Sequence, residues 1–158
     1  MKDNTNKKSN SYLKFAIMMA VSFLIMYLVM FLNVAEFDHV YNSLTRFYMT
    51  TLMIATMAIS MLLFMWKMYP NKKLNIGIIT FSTILFLGTF YLLRTQTPIN
   101  DVQYMKAMIP HHSSAIMTSS NVEFQDEDVK KLAEDIIIAQ EKEIKQMKAM
   151  IYRLEKKE

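Results

Sequence analysis

Three long apolar stretches in the first 93 residues constrain this chain more than any other feature of its sequence. They lie at about 13–33, 47–66 and 76–93, and the second and third contain no charged residue. A helix needs roughly 20 apolar residues to cross the hydrocarbon core of a bilayer. Each stretch is therefore predicted to form a transmembrane helix.

The first stretch could also belong to a secretory signal peptide. The apolar part of such a peptide spans roughly 7–15 residues and is followed by a cleavage site with small residues. Here the apolar run is longer, and no such site follows it. We therefore expect the first span to be retained as an anchor.

The positions of Lys and Arg predict the orientation of the spans. Seven basic residues lie at the start of the chain or between the second and third spans: Lys2, Lys7, Lys8, Lys14, Lys67, Lys72 and Lys73. The loop between the first two spans and the end of the third offer only Arg46 and Arg94. Because basic loops stay in the cytoplasm, we expect a multi-pass protein of the cell membrane with a cytoplasmic N-terminus and an extracytoplasmic C-terminal region.

The charge distribution narrows the range of partners. Much of the net charge of +4 comes from the predicted cytoplasmic segments, where it favours contact with anionic membrane lipid. The C-terminal region has no basic patch with interleaved aromatic residues, so nucleic acid is not expected as a partner. The chain contains no cysteine, which excludes disulfides and thiolate metal sites.

The C-terminal region, 99–156, is predicted to be a helical hairpin, which makes the whole chain all-α. Asn100 is a good N-cap for the first helix. Pro110 is expected to kink or restart this helix, because proline removes a backbone hydrogen bond. The polar run SSNVEFQDED is the predicted turn, and a second helix begins near Asp126, with apolar residues at spacings of three and four.

The apolar face of the second helix has one polar interruption. Its predicted members are Val129, Leu132, Ile136, Ile137, Ile144, Met147, Ile151 and Leu154. Gln140 falls where an apolar residue belongs, with Glu143 beside it. Either Gln140 is a half-buried amide with a backbone partner, or the polar and thioether groups of this helix face the histidines of the first helix.

The stretch MKAMIPHHSSAIM, residues 105–117, places two of the three histidines of the chain side by side. On a helix Met105, Met108 and His112 share one face, whereas His111 points about 100° away from His112. Thioether sulfur selects Cu(I), and imidazole suits several transition metals. Histidines and methionines without cysteine therefore indicate copper or silver rather than structural zinc.

A purely structural interpretation of this stretch is also open. Methionine fills irregular gaps in hydrophobic cores, and the paired histidines could be surface groups beside a proline kink. The spacing of the residues alone does not decide between this interpretation and the metal site.

Two motifs carry a resemblance to a known family. Met-x-x-His-His-x-x-Ala begins at Met108, and Ala-Gln-x-x-Glu-Ile-x-x-Met ends at Met147. Over about residues 100–152 the chain resembles the domain of unknown function 305 family, whose members adopt a ferritin-like helical fold. Some members are exported copper- and silver-binding proteins. The resemblance implies that four residues are functional: His111, His112, Met108 and Met147. It implies an assisting role for Met105, Met117 and Met150.

The second span carries a methionine every four residues: Met49, Met53, Met57, Met61 and Met65. A row with this spacing forms an ordinary packing ridge on a helix. Copper uptake channels also have three spans and an M-x-x-x-M in the second, so a metal path is the alternative. The predicted cytoplasmic N-terminus is opposite to that of those channels, and we favour packing.

Enzyme motifs are missing from the sequence. It contains neither the H-E-x-x-H pattern of zinc proteases nor the Glu-x-x-His pairs of di-iron proteins. Its two glycines, Gly77 and Gly88, both lie inside a predicted span and cannot form a phosphate loop. We expect no enzymatic activity.

Taken together, the residues and the resemblance predict a membrane-anchored copper-binding protein for Cu(I), with Ag(I) as a second ion. Its expected task is metal sequestration or handover in copper tolerance, with a copper-exporting ATPase or multicopper oxidase as candidate partner. Two helices bury little apolar area, so a homodimer or higher oligomer is expected to complete a four-helix bundle. The alternative is a membrane-anchored assembly module whose hairpin binds a protein and no metal.

Overall fold

The computed structural model describes the backbone of residues 2–156 and the side chains of residues 11–156. Within these residues the regular structure is entirely helical, which confirms the predicted all-α class. The helices are α1 (Lys2–Val29), α2 (Leu44–Phe64), α3 (Lys72–Thr95), α4 (Asp101–Asn121) and α5 (Glu127–Glu155). Short 3-10 turns occur at Phe37–His39 and Trp66–Met68.

Three of the helices are long and apolar enough to span a membrane: Ser11–Val29, Leu44–Phe64 and Lys72–Thr95. Within the apolar 18-residue part of each helix, only 11% is buried in the first and third helices and 28% in the second. Apolar surface of this extent needs a lipid or protein partner to cover it. The three predicted spans are confirmed by length and composition, and the third begins at Lys72 instead of residue 76.

The chain forms two compact units. One combines α1 with Phe47–Pro98, and the other combines Met30–Arg46 with the chain from Ile99 onward. The predicted division placed residues 1–94 in a membrane domain and residues 99–156 in a separate helical-hairpin, metal-binding domain. The structure differs, because the segment between α1 and α2 packs with the C-terminal hairpin.

The core of the membrane unit lies where α1 meets α2 and the turn after α2. Its buried members are Phe15, Met19, Ala58, Leu62 and Tyr69. Met57, Met61 and Met65 pack against this cluster. Met49 and Met53 are 44% and 39% exposed. The predicted methionine ridge thus packs against the core through its last three members.

A polar network joins α1 to the start of α3 in the same unit. The Tyr12 hydroxyl donates to Asn75 Oδ1 at 2.7 Å, and Asn75 Nδ2 donates to the Tyr69 carbonyl oxygen at 2.8 Å. Asn75 is fully buried, so these bonds satisfy an amide that would otherwise be costly to bury. Asn71 caps α3 by accepting from the Leu74 N–H at 3.2 Å.

The first helix of the hairpin begins after the predicted cap Asn100, and the second begins after Asp126, near its predicted start. Asn100 Oδ1 accepts from the Gln103 N–H at 2.9 Å. Asp126 Oδ1 accepts from the N–H groups of Asp128 and Val129 at 2.9 and 3.0 Å. Each cap satisfies backbone donors that a helix start leaves unpaired.

The first helix of the hairpin continues through Pro110. Pro110 is fully buried inside α4, which runs unbroken to Asn121. The expected restart does not occur, and the turn is confined to residues 122–126. The helix thus continues past a residue that cannot donate a backbone hydrogen bond.

The two helices of the hairpin enclose a core of five buried residues: Met105, Ile109, Ile116, Ile144 and Ile151. Ile137, Met147 and Leu154 pack against it, as predicted. Val129 and Leu132 are instead 49% and 59% exposed. The buried position near the turn is Ala133, because the inner face of α5 follows residues 133, 137, 144 and 151, and Leu132 is one step away from it.

Candidate metal centre

Two ion pairs show how the helices of the hairpin align. Lys106 Nζ on α4 lies 2.6 Å from Glu155 Oε1 on α5. Nearer the turn, His112 Nε2 lies 2.7 Å from Glu143 Oε2. Residue numbers rise along one helix as they fall along the other, so the helices are antiparallel.

The His112 imidazole is buried and has a partner at each nitrogen. Nδ1 lies 2.9 Å from the Met108 carbonyl oxygen, one turn earlier on α4, and Nε2 faces the Glu143 carboxylate. Both partners accept hydrogen bonds, so an imidazolium that donates from each nitrogen to a carboxylate and a carbonyl satisfies this geometry. This contact links the two helices.

A metal ion could bind at the contact between His112 and Glu143. The Glu143 side chain is 51% exposed, so solvent reaches the pair. A metal at His112 Nε2 must displace the proton that lies between nitrogen and carboxylate. It would then have an imidazole nitrogen and a carboxylate oxygen within reach.

Two predicted thioether ligands lie one helical turn from this pair. Met108 precedes His112 by four residues on α4, and Met147 follows Glu143 by four residues on α5. Because the helices are antiparallel, both methionines lie on the same side of the pair, each on the face that carries its partner. Both are half-buried. Helical spacing thus groups Met108 and Met147 with the contacting pair His112 and Glu143 along the hairpin.

The second histidine of the motif has a different environment. His111 is exposed, and its ring centre lies 6.1 Å from that of His112, with the ring planes at 66°. This difference in burial agrees with the predicted rotation of about 100° between neighbouring residues of a helix. His111 offers an imidazole on the solvent side of α4.

The remaining predicted site residues occupy three kinds of position. Met105 is 6% exposed and belongs to the hydrophobic core of the hairpin. Met117 and Gln140 are half-buried, and Met150 is 45% exposed. Their roles as ligands stay predictions.

The segment between α1 and α2 is the part of this unit that sequence reasoning missed. Its Ala35 N–H donates to Ser113 Oγ at 2.8 Å, and His39 Nδ1 lies 2.9 Å from the same oxygen. Asn33 Nδ2 donates to Ser114 Oγ at 2.9 Å. These bonds fasten the segment to α4 directly after His112.

Further contacts extend this attachment to the rest of the hairpin. Lys148 Nζ on α5 lies 2.5 Å from Asp38 Oδ2. This hydrogen bond holds the pKa of Asp38 below its usual range, and the weaker effect of desolvation opposes it. The Leu44 N–H donates to Gln103 Oε1 at 3.0 Å, and Tyr41 packs against the hydrophobic core. The segment is thus a third structural component of the unit.

The available sequence signal was the run Glu-Phe-Asp-His at residues 36–39. It contains three potential metal ligands among four residues. A cavity of about 410 Å³ lies beside this run. Its polar lining comprises Glu36, Asp38, His39, Glu141, Lys145 and Lys148.

Comparison with known proteins places the hairpin in a family. Residues 91–156 match the family described as Domain of unknown function (DUF305). An uncharacterized protein of Acanthamoeba polyphaga mimivirus is 38% identical over 110 residues, which cover 68% of this chain and 70% of that protein. The chain belongs to the domain of unknown function 305 family. No solved structure matches the chain at a significant level.

The family match confirms the resemblance seen in the two sequence motifs. It covers α4 and α5 completely, and thus His112, Glu143 and the two methionines beside them. The segment 30–46 lies outside the matched residues.

Proposed function

We propose that this member of the domain of unknown function 305 family is a membrane-anchored copper-binding protein. It binds Cu(I), with Ag(I) as a second ion, for sequestration or handover in copper tolerance. The grouping of His112 with Met108 and Met147 on two facing helices carries this proposal. One imidazole and two thioethers form a soft ligand set, which favours Cu(I) over harder divalent ions.

Proton release accompanies binding in this proposal. The ion takes the place of the proton between His112 and Glu143, so the link between the helices opens as the metal enters. Affinity therefore falls in acid, where the imidazolium persists. His111, exposed on the neighbouring face, is placed to receive the ion from solution.

The hairpin faces the outside of the cell membrane in this proposal, and the N-terminus faces the cytoplasm. Seven lysines, at the start of the chain, after α2 and in the first turn of α3, support this orientation through the preference of basic segments for the cytoplasm. Those lysines also contact anionic lipid. A copper-exporting ATPase or a multicopper oxidase is the proposed partner for transfer, and the protein itself has no enzymatic activity.

A second copy of the chain completes the binding unit in this proposal. Several apolar side chains of α5 stay exposed outside the hairpin core, with Val129, Leu132 and Ile138 at 49%, 59% and 65% exposure. Pairing two hairpins would cover such residues and form a four-helix bundle of the ferritin-like kind. The protein is then a homodimer or a higher homo-oligomer.

The test of copper binding uses the full-length protein in detergent, because a fragment of 95–158 lacks the segment that is bonded to Ser113. Cu(I) is titrated against a chromogenic chelator. The double variant Met108→Leu and Met147→Leu keeps the core filled and should lower Cu(I) affinity at least roughly tenfold, since it removes both soft ligands. Lys106→Gln breaks the other ion pair between the same helices and should leave affinity unchanged.

An unchanged Cu(I) affinity in the helical methionine variant would overturn the proposed ligand set. Circular dichroism of each variant shows whether it remains helical. A loss of affinity in Lys106→Gln of the same size would attribute the effect to hairpin packing rather than to the thioethers.

The exposed apolar residues of α5 also favour a second candidate function, a membrane-anchored assembly module that binds a protein and no metal. Leu132→Glu with Ile138→Glu places charge at two of these exposed positions, on different sides of the helix, without touching the proposed ligands. If assembly is the function, these changes abolish association of the full-length protein, and wild type shows no Cu(I) binding. If copper is bound, the Cu(I) titration of wild type gives a stoichiometric site.

A further inference from the structure

Three potential metal ligands converge in the segment between α1 and α2. His39 Nε2 lies 3.5 Å from Asp38 Oδ1 and 3.8 Å from Glu36 Oε2. One ligand atom from each residue lies within 4.8 Å of the other two. The cluster is separate from His112 and its methionines and belongs to a part of the chain outside the family match.

His39 has the environment of an oriented ligand. Its side chain is only 8% exposed, and Nδ1 forms a 2.9 Å hydrogen bond with the fully buried Ser113 hydroxyl. Histidines that bind metal generally have their other ring nitrogen fixed in this way. Ser113 Oγ has two lone pairs, so it can accept from Ala35 and, when a metal occupies Nε2, from Nδ1 as well.

The other ring nitrogen points into the carboxylate cluster. The distances from His39 Nε2 to the Asp38 and Glu36 oxygens exceed those of a normal N–H···O hydrogen bond. Both carboxylates are largely exposed, at 66% and 70% of their side chains, so solvent ions reach them. The cavity of about 410 Å³ beside them leaves room for an ion with bound water.

We propose that Glu36, Asp38 and His39 form a second metal site, which takes a divalent cation of the Zn(II) class. The ligand set is one imidazole nitrogen and two carboxylate oxygens, completed by water. It contains no sulfur, so it does not share the preference of the hairpin for Cu(I). Three protein ligands with an open position are a known arrangement for Zn(II).

Lys148 competes with the cation at this site. Its ammonium group lies 2.5 Å from Asp38 Oδ2, on the opposite oxygen of the carboxylate from the one that faces His39. A divalent cation bound at Asp38 would therefore lie close to the positive charge of Lys148, and the two charges would repel each other. Removal of the Lys148 ammonium group should therefore increase the affinity for the cation.

The experiment measures Zn(II) binding by full-length protein in detergent, in competition with a chromogenic chelator. His111→Ala with His112→Ala serves as the background, because it removes the imidazoles of the hairpin. In this background Glu36→Gln and His39→Gln should each lower Zn(II) affinity at least roughly tenfold, as expected for the loss of a ligand. Lys148→Gln should raise the affinity several-fold, because it removes the competing charge.

Two results would overturn the site. One is Zn(II) binding by Glu36→Gln and His39→Gln that matches the background. The other is unchanged or weaker binding by Lys148→Gln, which would mean that the Lys148 ammonium group does not compete with a cation for Asp38. Glu36 is exposed, so Glu36→Gln tests the site even if His39→Gln perturbs folding, which circular dichroism reports.

The copper proposal is tested separately in the same preparations. Cu(I) binding that depends on Met108 and Met147 bears only on the hairpin site. Zn(II) binding that depends on Glu36 and His39 bears only on the second site. Either proposal can therefore fail while the other stands.

Discussion

His112 Nε2 on α4 lies 2.7 Å from Glu143 Oε2 on α5, a contact between residues that are 31 positions apart. It lies beside the hydrophobic core of the hairpin and within one turn of two methionines. A single hydrogen bond therefore couples the packing of the two helices to the protonation of a proposed metal ligand. An ion that binds His112 must break this bond first.

Glu143→Gln should weaken the hairpin, because it replaces the carboxylate that contacts His112 Nε2 by a neutral amide of the same shape, and hydrogen bonds to charged groups are the stronger ones. The expected loss in the free energy of unfolding is about 1 kcal/mol, since Glu143 is half exposed and solvent screens the pair. Denaturant unfolding of the detergent-solubilised chain, followed by helicity, measures this loss. Glu134→Gln changes an exposed carboxylate on the same helix and serves as control. Equal stability of the two variants would contradict the prediction.

The two oxidation states of copper should separate the nitrogen and sulfur ligands. His111→Ala with His112→Ala should abolish most Cu(II) binding, which depends on nitrogen, and only weaken Cu(I) binding. Met108→Leu with Met147→Leu should do the reverse, with the larger loss for Cu(I) and Ag(I). Competition titrations of each double variant with Cu(I) and with Cu(II), compared with wild type, measure these changes in affinity. If the histidine variant binds both copper ions like wild type and stays helical, the histidines are not ligands.

The local features of this fold could be predicted from the sequence. Apolar length fixed the three spans, and the caps at Asn100 and Asp126 depend only on side chains within a turn of the helix start. The contact of His112 with Glu143 agrees with one of the two interpretations of the polar interruption in α5, in which its polar groups face the histidines. Of the two outcomes expected at Pro110, a kink or a restart, the helix does not restart, and the intrinsic preference of proline could not decide between them.

The attachment of the segment between α1 and α2 could not be predicted in the same way. It depends on contacts such as that of His39 with Ser113, 74 positions apart, and that of Asp38 with Lys148, 110 positions apart. No period or cap in the sequence encodes such a pairing. A short polar loop between two spans looks the same whether it is free or packed, so the second ligand cluster became apparent only in the structure.

The contact between Asp38 and Lys148 should make stability depend on pH in acid. The hydrogen bond from Lys148 lowers the pKa of Asp38 in the folded protein. A group with a lowered pKa contributes stability above its unfolded value, which is about 3.9 for Asp, and this contribution is lost as the pH falls through the folded value. Asp38 is 66% exposed, so screening keeps the contribution small.

The measurement for this pair compares metal-free wild type with Lys148→Gln. Wild type should be the more stable protein at pH 7, and the difference should shrink as the pH falls below about 4. Lys145→Gln, a neighbouring lysine that lines the same cavity, is the matched control. A difference that persists unchanged in acid would show that Lys148 acts through packing and not through the Asp38 carboxylate.

The last prediction concerns the orientation of the chain in the membrane. The sequence contains no cysteine, so single cysteines can be labelled without background. Phe37 is 96% exposed in the segment between α1 and α2, and Glu123 is exposed in the turn of the hairpin. Both belong to one compact unit.

Phe37→Cys and Glu123→Cys should therefore react together with a membrane-impermeant maleimide in intact cells, because the basic loops hold the opposite side in the cytoplasm. Lys73→Cys, in the first turn of α3, should react only after the cells are permeabilised. Labelling of Lys73→Cys in intact cells, with protection of the other two, would place the hairpin in the cytoplasm and rule out a role in capturing copper outside the cell.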